Sequence, residues 1–309
     1  MRKVVFYLKA IIRPFILEVK RRRLKQKLLS AIGVSSGYVF SEKDVDLYVA
    51  EKFAQLPKIS VAESDAPSLL KVTLGGKHIY WPSSLSTDDL PWLYHEIFDS
   101  YIENPSSYNH PGIGYKERKW VIDAGAAEGF FSVFALENSR GKVFCIEPLA
   151  VMKPALERTL ASYSGKERSM VITAALGEIS GFSEIQIDSN HICDSKILLD
   201  VSPVERSENV SITEKVPVIT IDQFVDQYSL GEGGVIKMDI EGYEMAALMG
   251  ATNTMRRYKP ALAIAVYHDL ENAKKCAEII MTANPQYKVE FRGYYGYFDP
   301  PRPYLVFAF

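Results

Sequence analysis

A doubly wound, mainly parallel α/β sheet carrying an N-terminal α+β extension is the fold that the sequence predicts. Three observations lead there. From residue 119 onward, short apolar runs alternate with segments of helical period, the order that βαβ units require. Between 119 and 267 those runs are apolar almost throughout instead of alternating, as strands are when helices cover both faces of a sheet. The composition, 47% apolar and 24% charged over 309 residues, supplies an ordinary core and excludes intrinsic disorder, collagen and a small disulfide scaffold.

Residues 1–30 read as a basic amphipathic helical leader. Val4, Leu8, Ile11, Phe15 and Val19 recur at helical spacing, and Leu17, Leu24 and Leu28 extend the stripe. Pro14 is expected to break or restart this helix. Ten Lys or Arg, among them Lys20-Arg21-Arg22-Arg23, stand against Glu18, a net +9. Because the whole chain stands at −2, the other 279 residues carry −11, and a general nucleic-acid surface is excluded. Two readings of the leader stay open. It lies on an anionic membrane, each basic residue adding about 1 kcal/mol near the surface, or its stripe docks on the rest of the fold. Lys9 and Arg13 interrupt the apolar stretch and no small-x-small site follows, which argues against a signal peptide or a membrane span. Cys145, Cys193 and Cys276 are far apart, which fits a reducing, cytoplasmic setting, with any peripheral contact at the inner membrane face.

Residues 31–118 form an extension expected to cover a substrate pocket. Leu70–Pro82, with Gly75-Gly76 at its centre, reads as a hairpin, and Leu90–Tyr101 as a helix. The loop from Asn104 to Tyr115 is rich in Pro, Gly, Asn, Tyr and His, a composition that serves either a linker or ligand contacts.

The α/β elements follow in order. Strands are expected at Trp120–Asp123, Lys142–Glu147, Met170–Ala174, Val235–Asp239 and Ala261–Tyr267, with helices at Gly129–Glu137, Ala150–Tyr163, Tyr243–Met249 and Leu270–Ala283. Ser183–Asp188 and Lys215–Ile221 suggest an inserted hairpin, and Lys288–Arg292 and Tyr304–Phe309 close the chain as strands.

Two stretches carry chemistry. In Val121-Ile-Asp-Ala-Gly-Ala-Ala-Glu-Gly129 a strand enters a small-residue loop and then a helix, which brings backbone N–H groups close to a ligand. Asp123 precedes the loop, where a cationic ligand end would want an acid, and Glu147 ends the next strand, placed to accept from both hydroxyls of a ribose. The glycines are Gly125 and Gly129, with Ala127 between them, so the G-x-G-x-x-G of nicotinamide enzymes is absent. In Lys237-Met-Asp-Ile-Glu-Gly-Tyr-Glu244, period two puts Lys237, Asp239 and Glu241 on one face. Asp239 and Glu241 stand at the carboxyl end of the strand, the ligand-binding edge of such sheets. Glu244 suits the N-terminus of the following helix.

The acid-before-glycine form resembles class I, Rossmann-like S-adenosylmethionine-dependent methyltransferases. Together with Lys237–Glu244, Thr220-Ile-Asp-Gln-Phe224 and Tyr267-His268, it closely resembles the FkbM family over residues 119–309. That resemblance implies S-adenosylmethionine as donor and a hydroxyl as acceptor, on a sugar, glycan, glycolipid or natural product. It places Asp123, Gly125 and Gly129 around the methionine part, Glu147 on the ribose, and Ala174 and Ala175 near adenine, and it counts Ala127, where the family has a glycine, and Asp239 among the cofactor-binding residues. Asp222 is expected to cap the helix that follows it.

An alcohol must lose its proton as it attacks. His268, at the tip of the fifth strand beside Asp239, is the candidate base because an ordinary imidazole titrates near neutrality. Asp239 and Glu241 could instead hold a divalent metal, but with no evident third ligand in the sequence a metal is not favoured. His95 and His110 are candidates for the acceptor pocket, while His78 and His191 read as bystanders. Phe291-Arg-Gly-Tyr-Tyr-Gly-Tyr297 offers aromatic platforms and a cation, or simple hairpin packing. The rival readings are a silent, membrane-recruited module with the same fold, and a nicotinamide oxidoreductase.

Overall fold

A computed structural model describes residues 2–31, 38–163, 167–187, 196–198 and 212–309. The chain opens with α1 (Arg2–Ala31) and α2 (Glu42–Glu51), then a three-stranded antiparallel sheet of β1 (Ser60–Glu63), β2 (Leu69–Leu74) and β3 (Lys77–Pro82), then α3 (Leu90–Phe98). The α/β part follows as β4 (Trp120–Ala124), α4 (Phe130–Asn138), β5 (Lys142–Ile146), α5 (Lys153–Ser162) and β6 (Ser169–Ile172). An insertion holds β7 (Ala175–Leu176), β8 (Gly181–Ile187), β9 (Lys196–Leu198) and β10 (Ile212–Ile219), and leads to α6 (Ile221–Gln227). The chain then runs through β11 (Gly234–Met238), α7 (Glu244–Met249), α8 (Thr252–Tyr258), β12 (Ala261–Ala265) and α9 (Asn272–Ala283). It ends on β13 (Val289–Arg292) and β14 (Leu305–Ala308).

The main sheet has the order β13-β14-β12-β11-β4-β5-β6. Its five strands from β12 to β6 are parallel, and the β13/β14 hairpin adds an antiparallel edge beside β12. Every residue of β4, β11 and β12 is buried, as their unbroken apolar runs require with helices on both faces. One core cluster lies on each face. The cluster containing Val121, Phe130 and Phe307 also takes in Val45, Tyr48, Val72 and Ile79, so the extension shares the core of the α/β part.

The chain leaves β4 toward β5 on one side and returns to place β11 on its other side. Between β4 and β11 the strand order reverses, and ligands bind at the carboxyl ends beside such a reversal.

Local chemistry explains several boundaries. Ser41 and Asp44 form a reciprocal capping box that starts α2. Gly75 and Gly76, both at positive φ, turn β2 into β3. The inserted β8 and β10 pair antiparallel, as expected of a hairpin. Asp222 does not cap the helix it belongs to. Thr220 does that by accepting from the Gln223 N–H, while the Asp222 carboxylate accepts from Asn253 and Thr254 at the start of α8.

The expected break at Pro14 does not occur, and α1 runs unbroken from Arg2 to Ala31. A proline inside a helix deletes one hydrogen bond and bends the path, and flanking turns can carry the helix onward. Leu24, Leu28 and Leu29 pack on the core, and Lys25 pairs with Glu42 at 2.8 Å and Asp46 at 2.6 Å. Phe15, Ile16 and Leu17 are exposed. The docking reading thus holds for the last two turns of the helix. No described helix is long and apolar enough to cross a membrane. His191 and Cys193 lie outside the described residues.

Candidate active site

A cleft of about 680 Å³, open to solvent, lies at the carboxyl ends of β4, β5 and β11, lined by Gly125, Ala127, Glu147, Ala174, Asp239 and Glu241 among others. Its geometry begins with the loop after β4. Gly125 has φ +72°, and a Cβ there would stand 1.8 Å from the Asp239 carbonyl oxygen, so only glycine lets β4 and β11 end this close together. Ala127 occupies the left-handed region at φ +38°, where a side chain costs about 1 kcal/mol or more.

The strained turn has a purpose visible in its hydrogen bonds. Ala127 N–H donates to Glu147 Oε2 at 2.9 Å, and Leu149 N–H donates to Oε1 at 3.0 Å. Burial raises the Glu147 pKa and these two donors oppose the rise. The carboxylate is fixed in the cleft wall with a lone pair left on each oxygen. Beside it Ile146, Leu149, Met152, Ala174, Ala175, Leu176 and Ile185 make an apolar wall.

Asp123 and Gly129, grouped with this site in the sequence, sit behind it. Asp123 is fully buried, accepts from Ser132 Oγ at 2.6 Å and pairs with Lys237 Nζ at 3.1 Å. Lys237 in turn donates to the Gly125 carbonyl at 2.9 Å. Burial works against its charge, but Asp123, Asp239 and Glu128 hold its pKa above the usual value. The pair therefore pins the loop from beneath, and Asp123 does not line the cleft. Gly129, at φ +85°, begins α4.

The opposite wall carries Asp239 and Glu241, with His268 beside them. Asp239 follows directly on β11, and Tyr108 donates to its Oδ2 at 3.0 Å and Tyr267 to its Oδ1 at 3.4 Å. Glu241 is not on the strand. It reaches the cleft through a turn at φ +55°, a conformation rare for a side-chain-bearing residue and a mark of functional sites. His268 Nε2 lies 3.2 Å from Glu241 Oε2 and 3.7 Å from Asp239 Oδ1, and Nδ1 lies 3.4 Å from Glu244 Oε1. Neither ring nitrogen is aligned for a hydrogen bond. Burial alone would lower the His268 pKa, yet these carboxylates push it up to about 11. The surrounding carboxylates thus favour the charged imidazolium over the neutral ring. Burial raises the Glu241 pKa, which makes its carboxylate a better proton acceptor than an ordinary one.

Glu244 does more than begin a helix. It is fully buried, accepts from the Ile240 and Gly242 N–H groups and from Asn272, and stands behind His268. Burial opposes its ionisation, but the His268 charge and these donors hold its pKa below the usual range.

The other histidines are elsewhere. His110 pairs with Glu290 at 3.0 Å and packs on Phe307 and Phe309. His95 is buried against Asp99, and His78 stacks on Tyr163. None of the three lines this cleft. Arg292 likewise donates to the Tyr101 and Asn104 carbonyls and holds the Asn104–Tyr115 loop in place. That loop supplies Tyr108, which the sequence placed only in a loop left open between a linker and ligand contacts.

Residues 123–294, more than half of the chain, match the family model of the methyltransferase FkbM domain. A methyltransferase FkbM from Methylobacillus flagellatus KT is 19% identical with a TM-score of 0.48; the match covers 92% of this chain and 59% of that one. Precorrin-6y C5,15-methyltransferase from Geobacter metallireducens GS-15 is 13% identical with a TM-score of 0.36, over 63% of this chain and 82% of the other. Fibrillarin from Aeropyrum pernix, solved with natively bound S-adenosyl-L-methionine, is 12% identical with a TM-score of 0.36, over 82% of this chain and 99% of the other. No curated protein matches the chain.

Proposed function

The chain belongs to the FkbM methyltransferase family, and from that premise we propose that it methylates a hydroxyl oxygen of a sugar, glycan, glycolipid or natural product. The methyl donor in this reading is S-adenosylmethionine. The observation that carries it is the pairing, across one cleft, of the fixed Glu147 carboxylate with the Asp239–Glu241 carboxylates.

The residues present fit such a donor. The free lone pairs of Glu147 accept from ribose hydroxyls, and the apolar wall through Ala174 and Ala175 packs a base. The backbone at Gly125 and Ala127 approaches the remainder closely, with Asp239 beside it. When bound, the donor supplies an electrophilic methyl group on a sulfonium. Alignment supplies much of the acceleration in such an in-line displacement, and Tyr108 and Tyr267 hold Asp239 in one orientation. Glu241 accepts the proton of the attacking hydroxyl, and His268 stabilises that side of the cleft. Residues 31–118 cover the acceptor side through Tyr108.

Calorimetry with S-adenosylhomocysteine tests the reading. The wild-type chain should bind it, and Glu147→Ala should weaken binding about 10–100-fold, the loss expected for hydrogen bonds to a charged group. No binding of either cofactor form together with tight NADH binding would favour an oxidoreductase instead. Turnover with a labelled methyl donor on candidate acceptors separates an enzyme from a silent module.

A membrane contact is a second part of the proposal. The exposed Phe15, Ile16 and Leu17 sit one turn before the Lys20–Arg23 run. Apolar insertion beside a basic cluster favours an anionic, cytoplasm-facing bilayer surface.

A further inference from the structure

The geometry points to a divalent-cation site formed by Asp239, Glu241 and His268 at the acceptor end of the cleft. One ligand atom from each of these residues lies within 4.8 Å of the other two. Ligands bound about 2.1 Å from a shared ion stand about 3 Å apart at a right angle. The 3.2 Å from His268 Nε2 to Glu241 Oε2 and the 3.7 Å to Asp239 Oδ1 are close to that spacing.

Three features separate this group from a chance acidic cluster. His268 is only 13% exposed, and its Nε2 faces a carboxylate oxygen of both Glu241 and Asp239, so the three donors converge on one point. Glu244, fully buried, stands 3.4 Å from Nδ1 and is itself held by Asn272 and two backbone N–H groups. A carboxylate behind one imidazole nitrogen is how proteins direct the other nitrogen toward a metal. Lastly, Glu241 enters the group through a left-handed backbone turn, and two tyrosines hold Asp239. The group is thus oriented from behind on all three sides.

Two carboxylates and one imidazole are a hard, mixed O/N set. They suit Mn²⁺ or Mg²⁺, with remaining positions open to water or an acceptor oxygen. The cation site rests on this geometry, whereas its chemical use rests on the methyl-transfer reading above. A coordinated acceptor hydroxyl has a lowered pKa. Its proton passes to the other Glu241 carboxylate oxygen and its oxygen forms the new C–O bond. The S–CH₃ bond breaks with its electron pair left on sulfur.

Electron paramagnetic resonance of Mn²⁺ added to the full-length, EDTA-treated chain tests the site. One Mn²⁺ should bind per chain, be displaced by excess Mg²⁺, and bind at least tenfold more weakly to both Asp239→Asn and Glu241→Gln. In parallel, substoichiometric Mn²⁺ should broaden the NMR ring signals of His268, assigned by their loss in His268→Gln, before those of His78 and His110. This readout needs only the wild-type fold. Absence of saturable Mn²⁺ binding, equal binding by both variants, or uniform broadening of the histidines would each overturn the site. S-adenosylhomocysteine calorimetry on the same metal-free sample keeps the two proposals apart, because loss of nucleoside binding would overturn the methyl-transfer reading and leave the cation result standing.

Discussion

Replacing Lys237 with methionine removes a charge that holds the cofactor loop from below. The side chain is 6% exposed and that of its partner Asp123 is not exposed at all, with 3.1 Å between Nζ and Oδ1. Truncating one member of a buried pair leaves the other charge unpaired, a loss of about 3–5 kcal/mol. For a chain of 309 residues each kcal/mol moves Tm by about 1.5 °C, so Lys237→Met should melt about 5–8 °C below wild type. Because the Lys237 pKa is raised, the group stays charged in both folded and unfolded chains through neutral pH. Its contribution is lost only as pH rises through the folded value, so measurements at pH 7–8 read the full effect. Asp123→Asn should also destabilise. The double variant should recover about 1–3 kcal/mol relative to the sum of the singles, as contacting charges do. Urea unfolding of the four proteins measures this coupling. S-adenosylhomocysteine affinity should fall in both singles, since Lys237 also binds the Gly125 carbonyl. Additivity of the two substitutions within about 0.5 kcal/mol would refute the idea that the pair acts as one unit.

Other expectations follow from the same geometry. Glu51 is buried, accepts from Tyr304, and has its pKa raised to about 7 by burial against the opposing effects of Tyr304 and nearby Lys52. A raised carboxyl stabilises fully below its unfolded pKa and loses that contribution as pH rises through the folded value. Glu51→Gln should therefore flatten a decline in Tm between pH 4.5 and 8 worth up to about 3 kcal/mol; an unchanged pH profile would contradict the assignment. Ala127→Gly should relieve the left-handed backbone at φ +38° and raise stability by about 0–1 kcal/mol without loss of S-adenosylhomocysteine affinity. Gly125→Ala should instead disrupt the site, measured by the same calorimetry, because its Cβ would meet the Asp239 carbonyl. Phe15, Ile16 and Leu17 changed together to serine should reduce sedimentation with anionic vesicles and leave Tm intact, since these side chains are exposed. Undiminished vesicle binding would leave the membrane contact without its apolar anchor.

How much was legible in advance differs by element. The parallel strands were readable because burial on both sheet faces demands continuous apolar runs, as in Val235–Met238 and Ala261–Ala265. Gly125, Ala127, Glu147, Asp239 and Glu241 were readable because chain geometry forces small residues and acids to strand ends. All five line the cleft. Asp123 sat in the same stretch, but which way its carboxylate turns depends on Lys237, over a hundred residues later. Asp222 likewise caps a helix start some thirty residues away. The sequence pattern marks both as acids at helix or strand ends without saying whose N–H or ammonium they meet.

By itself the sequence determined the sheet, its parallel sense, the placing of two acid-bearing strand ends at one edge, and the family. These are local consequences of periodicity and turn chemistry. Only the tertiary structure decided that Tyr108 reaches Asp239 and that Glu244 stands behind His268, and only it enclosed that histidine among three carboxylates. An imidazole titrates near neutrality by default. Its charge, and whether it takes a proton or faces a cation, is set by groups brought within 4 Å of it by folding, and spacing along the chain does not encode that distance.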